Sequence, residues 1–174
     1  YSFFYDVCTE YNCNKIAVAH NMNDKAETAL LNIIRGSASK GLEGIKAVNG
    51  NVIRPLIETS RESIEAYAKD NNIDYVTDST NLMDIYARNI VRNGIIPHMK
   101  QINSGALENI IRCSEIISQE NEYIESVIEN LGVLEKYDNL FKIDKHKFNS
   151  LHISLKRRII VSVLTSLCQN TQNI

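Results

Sequence analysis

The chain has 174 residues, of which 44% are hydrophobic, enough for one ordinary core and a smaller second one. Its 19 Lys and Arg residues nearly balance 21 Asp and Glu residues, and the net charge of −2 excludes a polycation that binds nucleic acid through bulk charge. The four cysteines form no CxxC pair and have no histidine at zinc-finger spacing, which argues against a structural metal site. The sequence shows neither a signal peptide nor an apolar run that could cross a bilayer, and it predicts a cytoplasmic protein.

The first elements are a helix, a strand and a second helix. Apolar spacing predicts an amphipathic helix up to about Asn12, and the short apolar run from Ile16 to Ala19 predicts a buried strand. Asp24 followed by Glu27 resembles a capping box, and the helical spacing of apolar residues continues until Gly36. The pattern therefore predicts a β-turn-α unit of the α/β class.

His20 and Asp24 fall on the turn between this strand and this helix. Ligands of open α/β sheets bind beyond the carboxyl ends of the strands, so both side chains are placed for chemistry. The alternative is a purely local role, in which His20 forms a hydrogen bond within its own turn and Asp24 caps the helix. A carboxylate at a helix N-terminus repels a bare phosphate, so a phosphate ligand here would need a bridging divalent cation such as Mg²⁺.

The following segment is poorer in regular patterns. Four glycines between Gly36 and Gly50 predict either a flexible active-site loop or a solvated connector. The stretch from Val52 to Arg54 is extended and is stopped by Pro55, which suits a strand end or edge. Partner strands for a parallel sheet are expected in a part of the protein that precedes this chain. The next predicted features are a capping box at Thr59 and Glu62, a helix with Ile64, Tyr67 and Ala68 facing inward, its end near Asn71, and an extended piece over Ile73 to Val76.

A helix with two arginines on one face follows a turn-rich cluster that ends at Asn81. Arg88 and Arg92 are four residues apart and project from one face, with Asn89 beside them. Two guanidiniums without an acidic partner at helical spacing suit phosphate or RNA recognition, because each can bind two oxygens at once. A solvated basic face is the alternative.

Gly94 and Pro97 are predicted to break this helix and to mark a domain boundary, with domains over 1–98 and 99–174. The second domain is predicted to be small and all-α, with a short intervening piece from Leu140 to Ile143. The seam of its first long helix, which ends at Gly132, is formed by Ile110, Ser114, Ile117, Asn121, Ile124, Ile128 and Leu131. The last helix carries the basic run Lys156, Arg157 and Arg158 near its start, where positive charge opposes the helix dipole and an anionic partner would relieve it.

Several motifs, in order along the chain, carry a family resemblance. AHNMNDKAETALLNIIRG resembles the AHxxxDxxET…RG motif of the ATP-pyrophosphatase (PP-loop) superfamily. RPL from Arg54, SR from Ser60, DSTN from Asp78, YARNIVR and IIP narrow the resemblance to the tRNA(Ile)-lysidine synthase family. HKFNSLHISLKRRII, in the second half, resembles that family's central helical domain.

The resemblance implies a fold and a reaction. The fold would be a partial adenine-nucleotide alpha-hydrolase-like parallel sheet with flanking helices. The enzyme would use ATP and Mg²⁺ to adenylate the C2 oxygen of the wobble cytidine of tRNA(Ile) with a CAU anticodon, and L-lysine would then displace AMP. By resemblance, Asp24 holds Mg²⁺, His20 lines the nucleotide site, and Arg35, Arg88 and Arg92 meet phosphates or stabilise charge. The supporting or RNA-binding positions are Arg54, Asn81, Asn89, Lys156, Arg157 and Arg158.

The chain also departs from the family pattern. The glycine-rich phosphate loop SGGxDS is absent, so the chain is expected to begin after it and to be inactive alone. Asn21, Asn23 and Lys25 stand where many members carry His, Asp and Gln. The alternative functions are a tRNA cytidine 2-sulfurtransferase of the same superfamily and a non-catalytic tRNA-binding module. Homodimerisation is a further expectation, and no membrane partner is expected.

Overall fold

The computed structural model describes residues 2–76, 87–137 and 140–167. The chain divides into two compact units, Tyr1–Ser118 and Gln119–Ile174. The domains over 1–98 and 99–174 stay a prediction, because compactness by itself does not define a family domain. Among the described residues, no helix is long and apolar enough to cross a membrane.

The first unit is mixed α/β, as the sequence predicts. Its helices and strands are α1 (Ser2–Glu10), β1 (Ile16–Ala17), α2 (Met22–Ile34), α3 (Ser39–Leu42), β2 (Val48–Asn49), β3 (Val52–Ile53), α4 (Arg61–Asp70), α5 (Ala87–Ile90), a π turn (Val91–Ile95), α6 (Ile96–Ile102) and the first half of α7 (Ala106–Asn130).

The three strands form one small sheet in the order β1-β3-β2. β1 runs parallel to β3, with Ile16 opposite Val52, and β2 is antiparallel to β3. β1 therefore has a parallel partner within this chain. β3 lies between two strands and ends before Pro55, so of the two predicted alternatives the strand end is found and the edge is not. The further strand expected upstream stays a prediction.

The N-termini of two helices differ from the predicted capping boxes. Asn21 caps α2, since its Oδ1 accepts a hydrogen bond from the Asp24 backbone N–H at 3.1 Å, and α2 therefore begins three residues earlier than the predicted cap implies. α4 is capped by Ser60, one residue after the predicted Thr59. Glu27 takes no part in capping because its carboxylate is buried among other partners. The predicted end of α2 is confirmed, since Gly36 has a φ of 75°.

The predicted inward face of α4 is not buried, and the predicted extended piece after it is exposed. α4 buries none of its residues, and Tyr67 is 64% exposed. The segment from Ile73 to Val76 forms no strand, and Val76 is exposed. Helical or strand-like spacing shows which face an element can bury, but burial requires a neighbouring element to cover it.

Two apolar clusters form the core of the first unit. Cys8 of α1 packs with Ile16 of β1 and Val52 of β3. The larger cluster joins α2, the π turn, α6 and α7 through Ala26, Leu31, Val91, Ile96 and Leu107. This second cluster holds the arginine-bearing helix against α2.

The helix that carries the arginines continues through Gly94 and Pro97, so the predicted break there is wrong. The chain widens into a π turn, in which the Ile96 N–H bonds to the Val91 carbonyl five residues earlier. Pro97 lies in the first turn of α6, where its missing N–H is tolerated. Residues five apart diverge on an α-helix, but the π turn lets both Val91 and Ile96 face the core.

The second unit contains the end of α7, a hairpin of β4 (Leu134–Tyr137) and β5 (Leu140–Ile143), α8 (Lys145–Ser150) and α9 (Ile153–Leu167). The hairpin is a β element that the all-α prediction for this region omitted. Gly132, with a φ of 54°, ends α7 as predicted. Asn121 on the predicted seam is only 2% exposed, and Ile159 of α9 is fully buried.

Candidate active site

The carboxyl ends of β1 and β3 and the start of α2 form one edge of the first unit. The Val18 N–H bonds to the Ile53 carbonyl at 3.0 Å, and the Met22 N–H bonds to the Thr59 carbonyl at 3.0 Å. The segments that follow the two strands are thus joined at both of their ends. Polar side chains on these segments share the edge at which α/β proteins bind ligands.

Glu27 is the centre of a charged cluster beside this edge. Its carboxylate is 1% exposed and accepts from the Arg88 Nε at 2.8 Å, from the Arg92 Nε at 2.6 Å and from the Arg92 Nη2 at 3.0 Å. The two guanidiniums come from α5 and the π turn, more than sixty residues later in the chain. A buried carboxylate with two charged donors is strongly localised.

Asp24 belongs to the same cluster and caps its helix at the same time. Its Oδ2 accepts the Asn21 N–H at 2.9 Å, which completes a capping box with Asn21. Its Oδ1 accepts from the Arg88 Nη2 at 2.9 Å and lies 3.4 Å from the Arg92 Nη2. The structure therefore brings Asp24, Arg88 and Arg92 together.

The cluster contains two carboxylates and two guanidiniums, so its formal charges cancel. Hydrogen bonding to Glu27 raises the pKa of Arg92 above its usual value, and this arginine stays charged. The repulsion between Asp24 and a phosphate is thus already neutralised. A phosphate bridged by a cation such as Mg²⁺ stays a prediction.

The Asp24 carboxylate is already engaged by groups of the protein. Mg²⁺ in proteins is held by one or two carboxylates and completes its octahedron with waters and substrate phosphates. Both Asp24 oxygens accept hydrogen bonds, and two guanidiniums lie against one of them. Within the described ranges, no group of three or more His, Cys, Asp or Glu side chains is arranged to hold a metal. The magnesium-binding role of Asp24 stays a prediction, and no step is assigned to the ion.

His20 and Arg54 lie on the two joined segments. The His20 side chain is half-buried, and its Nδ1 is a buried atom that has no hydrogen-bond partner. The predicted role of His20 in the nucleotide site stays a prediction. Arg54 directly follows β3, and its Nη1 donates to the Lys46 carbonyl at 2.8 Å.

The structure does not bring every predicted site residue to the cluster. Arg35 is the C-cap of α2, roughly 16 Å along the helix axis from Asp24, and is exposed. Asn89 is buried on α5 beside the cluster. Asn81 and the turn-rich segment around it lie outside the described residues.

The basic run of α9, in the second unit, does not form one patch. Lys156 donates to the Asn149 carbonyl at 2.8 Å and lies over the Phe148 ring. Arg157 is exposed, and the Arg158 Nη2 donates to the Asn121 side chain. Their predicted role in RNA binding stays a prediction.

Glu27 is the member of the charged cluster that the sequence-based list of site residues missed. The pattern held a usable signal, because Glu27 lies one turn before Leu31 and beside Ala26, on the face that α2 buries. A carboxylate on a buried face needs a charged or hydrogen-bonding partner. Reading Glu27 only as a capping residue concealed this requirement.

The three residues that depart from the family pattern have local roles. Asn21 caps α2. Asn23 accepts the backbone N–H of Arg61 at 3.0 Å and so ties the start of α4 to the start of α2. Lys25 forms an ion pair with Glu115 of α7 at 2.8 Å. These side chains stabilise the edge and do not add a carboxylate to it.

The chain is similar to known proteins in both sequence and structure. The family model described as the PP-loop domain matches residues 1–99. A protein named tRNA(Ile)-lysidine synthase from Caldanaerobacter subterraneus subsp. tengcongensis is 42% identical over 163 residues, which is 92% of this chain and 35% of that protein. One of the same name from Clostridioides difficile is 35% identical over 98% of this chain and 38% of its own length. The chain thus spans little more than a third of these relatives.

A solved structure shows the same fold. It is a U34-tRNA thiolase, NcsA, from Methanococcus maripaludis with its [4Fe-4S] cluster, and it superposes with a TM-score of 0.50 over 65% of this chain and 39% of that one. At 19% sequence identity, this likeness supports the fold and not a shared reaction.

Proposed function

Since the chain belongs to the PP-loop domain family, we propose that it is part of the catalytic machinery of a tRNA(Ile)-lysidine synthase. The observation that carries the proposal is the cluster in which Asp24 and Glu27 of one motif meet Arg88 and Arg92 of another. The names of the relatives that match nearly the whole chain support the same assignment.

The proposed reaction has two steps. The C2 oxygen of the wobble cytidine of tRNA(Ile) with a CAU anticodon attacks the α-phosphorus of ATP, and pyrophosphate leaves. The side-chain amine of L-lysine then attacks C2, and AMP leaves with the oxygen while the amine loses a proton. Adenylation converts a poor leaving group into a good one, which is the purpose of the ATP. The anticodon loop is single-stranded, so the cytidine is accessible without the cost of opening a duplex.

In this proposal the two arginines stabilise negative charge that develops on phosphate oxygens. Two donors of Arg88 are used by carboxylates, and its side chain remains 39% exposed, so its other N–H groups can reach a ligand. Glu27 and Asp24 hold both guanidiniums in place before the substrate binds. Such preorganised charge stabilises a transition state without reorganisation cost.

The proposal is tested with a chimera in which this chain replaces the matching segment of the Caldanaerobacter relative. The assay measures incorporation of labelled lysine into tRNA(Ile). Arg88→Ala and Asp24→Asn are each expected to reduce the rate by about 100-fold or more, the usual effect of removing a preorganised charged group. Arg61→Ala is the matched control, because Arg61 forms an exposed pair with Glu65 on α4. Unchanged turnover in Arg88→Ala would remove this residue from the site.

The alternative reaction is thiolation of a tRNA base, since the structural neighbour is a thiolase with an iron–sulfur cluster. Cys8, Cys13 and Cys113 are free thiols, and over the described ranges no three metal-binding side chains come together. This favours the ligase. Mass spectrometry of the tRNA product separates the two, because lysidine adds a lysine residue and thiolation replaces oxygen by sulfur.

We further propose that this chain alone does not form lysidine, because its sequence lacks the SGGxDS loop that binds phosphate in the family. ATP-dependent release of AMP by the isolated chain would contradict this. A tRNA-binding module without catalytic activity would instead show salt-sensitive tRNA binding that ATP does not alter, both in the chain and in the chimera.

A further inference from the structure

A pocket of about 400 Å³ lies in the first unit, and none of the four residues of the charged cluster lines it. Its lining residues belong to four helices, with Leu30 on α2, Leu42 on α3, Met99 on α6 and Ile110 on α7. The pocket is therefore a hollow between packed elements and not a groove along one of them. Its volume lies in the range of small-molecule sites, which is about 300–1,000 Å³.

The walls of this pocket carry no charge. Of the described residues that line it, nine are apolar, and the other four are Asn103, Asn109, Cys113 and Ser114. An ionised group would lose its hydration here without gaining a counter-charge, which is unfavourable. The lining is therefore complementary to an uncharged occupant. ATP, tRNA and L-lysine, the substrates in the proposed function, are all charged and do not match it.

Ser114 supplies a polar anchor inside the pocket. Its side chain lines the pocket and the residue is only 3% exposed, and among the described residues no hydrogen bond is found for its hydroxyl. A serine hydroxyl can donate one hydrogen bond and accept two. Leaving it unpaired in apolar surroundings costs free energy, so a ligand with a hydrogen-bonding group at this position is favoured.

The pocket is open to solvent, because two of its large apolar side chains, Ile33 and Ile102, are exposed. An occupant would remove their apolar surface from water, which favours binding. We propose that this pocket binds a small, uncharged and mostly apolar molecule whose polar group forms a hydrogen bond with Ser114. The site is separate from the candidate active site, since the two share no residue.

The test uses two fluorescent probes with the same ring skeleton. N-phenylnaphthylamine is uncharged and has one N–H donor, and anilinonaphthalenesulfonate differs from it by an added sulfonate. Titration of the whole 174-residue chain should show one site for the uncharged probe, with an affinity about 10-fold or more above that for the sulfonate. Equal or tighter binding of the sulfonate, or no saturable binding of the uncharged probe, would overturn the proposal.

Two variants of Ser114 locate the bound probe. Ser114→Leu fills part of the pocket and is expected to weaken binding of the uncharged probe by about 10-fold or more. Ser114→Ala keeps the space but removes the hydroxyl, and a loss of about 2- to 10-fold is expected. Ser126→Leu is the matched control, because Ser126 is exposed on the same helix outside the pocket. If Ser114→Leu binds the probe as well as Ser126→Leu, the probe lies elsewhere and the proposal is wrong. Unchanged affinity in Ser114→Ala would overturn the role of Ser114 as the polar anchor.

A substitution at the exposed Ile102 keeps the test decisive if Ser114→Leu folds poorly. Ile102→Asp places a charge at the pocket without altering a buried position, and it should weaken binding of the uncharged probe by about 10-fold. Ile73→Asp, at an exposed position after α4, is the control. The probe should raise the melting temperature of Ile73→Asp more than that of Ile102→Asp, since a ligand that binds only the folded state stabilises it. Equal rises and equal affinities in these two variants would place the probe outside the pocket and contradict the proposal.

Discussion

The charged cluster around Glu27 and the basic run of α9 differ in how the distance between residues along the chain relates to their distance in the fold. In the cluster the two arginines are more than sixty residues from the carboxylates in the chain, yet both guanidiniums lie within hydrogen-bonding distance of Glu27 and of Asp24. The members of the second are consecutive, yet each has different surroundings. Consecutive residues on an α-helix point about 100° apart, so a run of charges on a helix is dispersed. Charges cluster only when separate elements are packed together.

The largest expected change in stability comes from a substitution in the charged cluster around Glu27. Glu27→Gln leaves two guanidiniums without their buried counter-charge and is expected to lower the free energy of unfolding by about 3 kcal/mol. Urea unfolding followed by circular dichroism measures this. Glu115→Gln is the control, because Glu115 is half-exposed in its pair with Lys25 and should cost less than about 1 kcal/mol. Equal losses in both variants would show that Glu27 is not the anchor of the cluster.

A second pair of substitutions tests whether the residues of the basic run contribute differently to stability. Arg158→Ala removes the donor to the buried Asn121 side chain and is expected to cost about 1–3 kcal/mol. Arg157→Ala, at the adjacent exposed position, should change stability by less than about 0.5 kcal/mol. The same urea experiment measures both. A large effect of Arg157→Ala would mean that the run acts as a unit.

Loss of the capping box of α2, beside the charged cluster, is expected to lower stability by a smaller amount. Asn21→Ala removes the acceptor for the Asp24 backbone N–H and is expected to cost about 1 kcal/mol. Asn14→Ala, at an exposed position in the turn before β1, is the control. The midpoint of thermal unfolding reports the difference. If Asn21→Ala behaves like the control, Asp24 is held by the arginines and needs no cap.

The smallest expected effect is a pH dependence of stability that comes from Glu62 on α4. A hydrogen bond from its own backbone N–H lowers the pKa of Glu62 below its ordinary 4.5, and Lys100 contributes further. Because the pKa is lower in the folded state, this stabilisation is present above pH 4.5 and is lost as the pH falls through the folded value. The side chain is 63% exposed, so solvent screening limits the effect to about a few tenths of a kcal/mol.

Melting curves between pH 3 and 6 check this contribution. Glu62→Gln should melt with a shallower pH dependence than the wild type in this window, and the two should differ less as the pH falls through the lowered pKa of Glu62. Glu65→Gln on the same helix controls for the loss of one charge. If the melting temperature of Glu62→Gln depended on pH as steeply as that of the wild type, the prediction would be contradicted.

Much of the local structure follows from the sequence. Apolar spacing places β1, α2, α7 and α9, and the glycines at 36 and 132 end helices because both adopt a positive φ. The break predicted at Gly94 and Pro97 was wrong for a physical reason. The cost of a proline and a glycine within a helix is offset by the π turn and by the burial of Val91 and Ile96 on α2. Propensity is a local quantity, and tertiary packing overrode it there.

The sequence by itself determined the motifs, the helical periodicities and the family to which the chain belongs, because these depend on residue identity and spacing. Only the tertiary structure decided that Glu27 is buried between two guanidiniums, that Asp24 joins the same cluster, and that the Arg54 Nε is buried without a partner. Each of these depends on which distant group lies within about 3 Å of which atom. Distances of that kind are set by how α2, α5 and the strands pack, and spacing along the chain does not specify them.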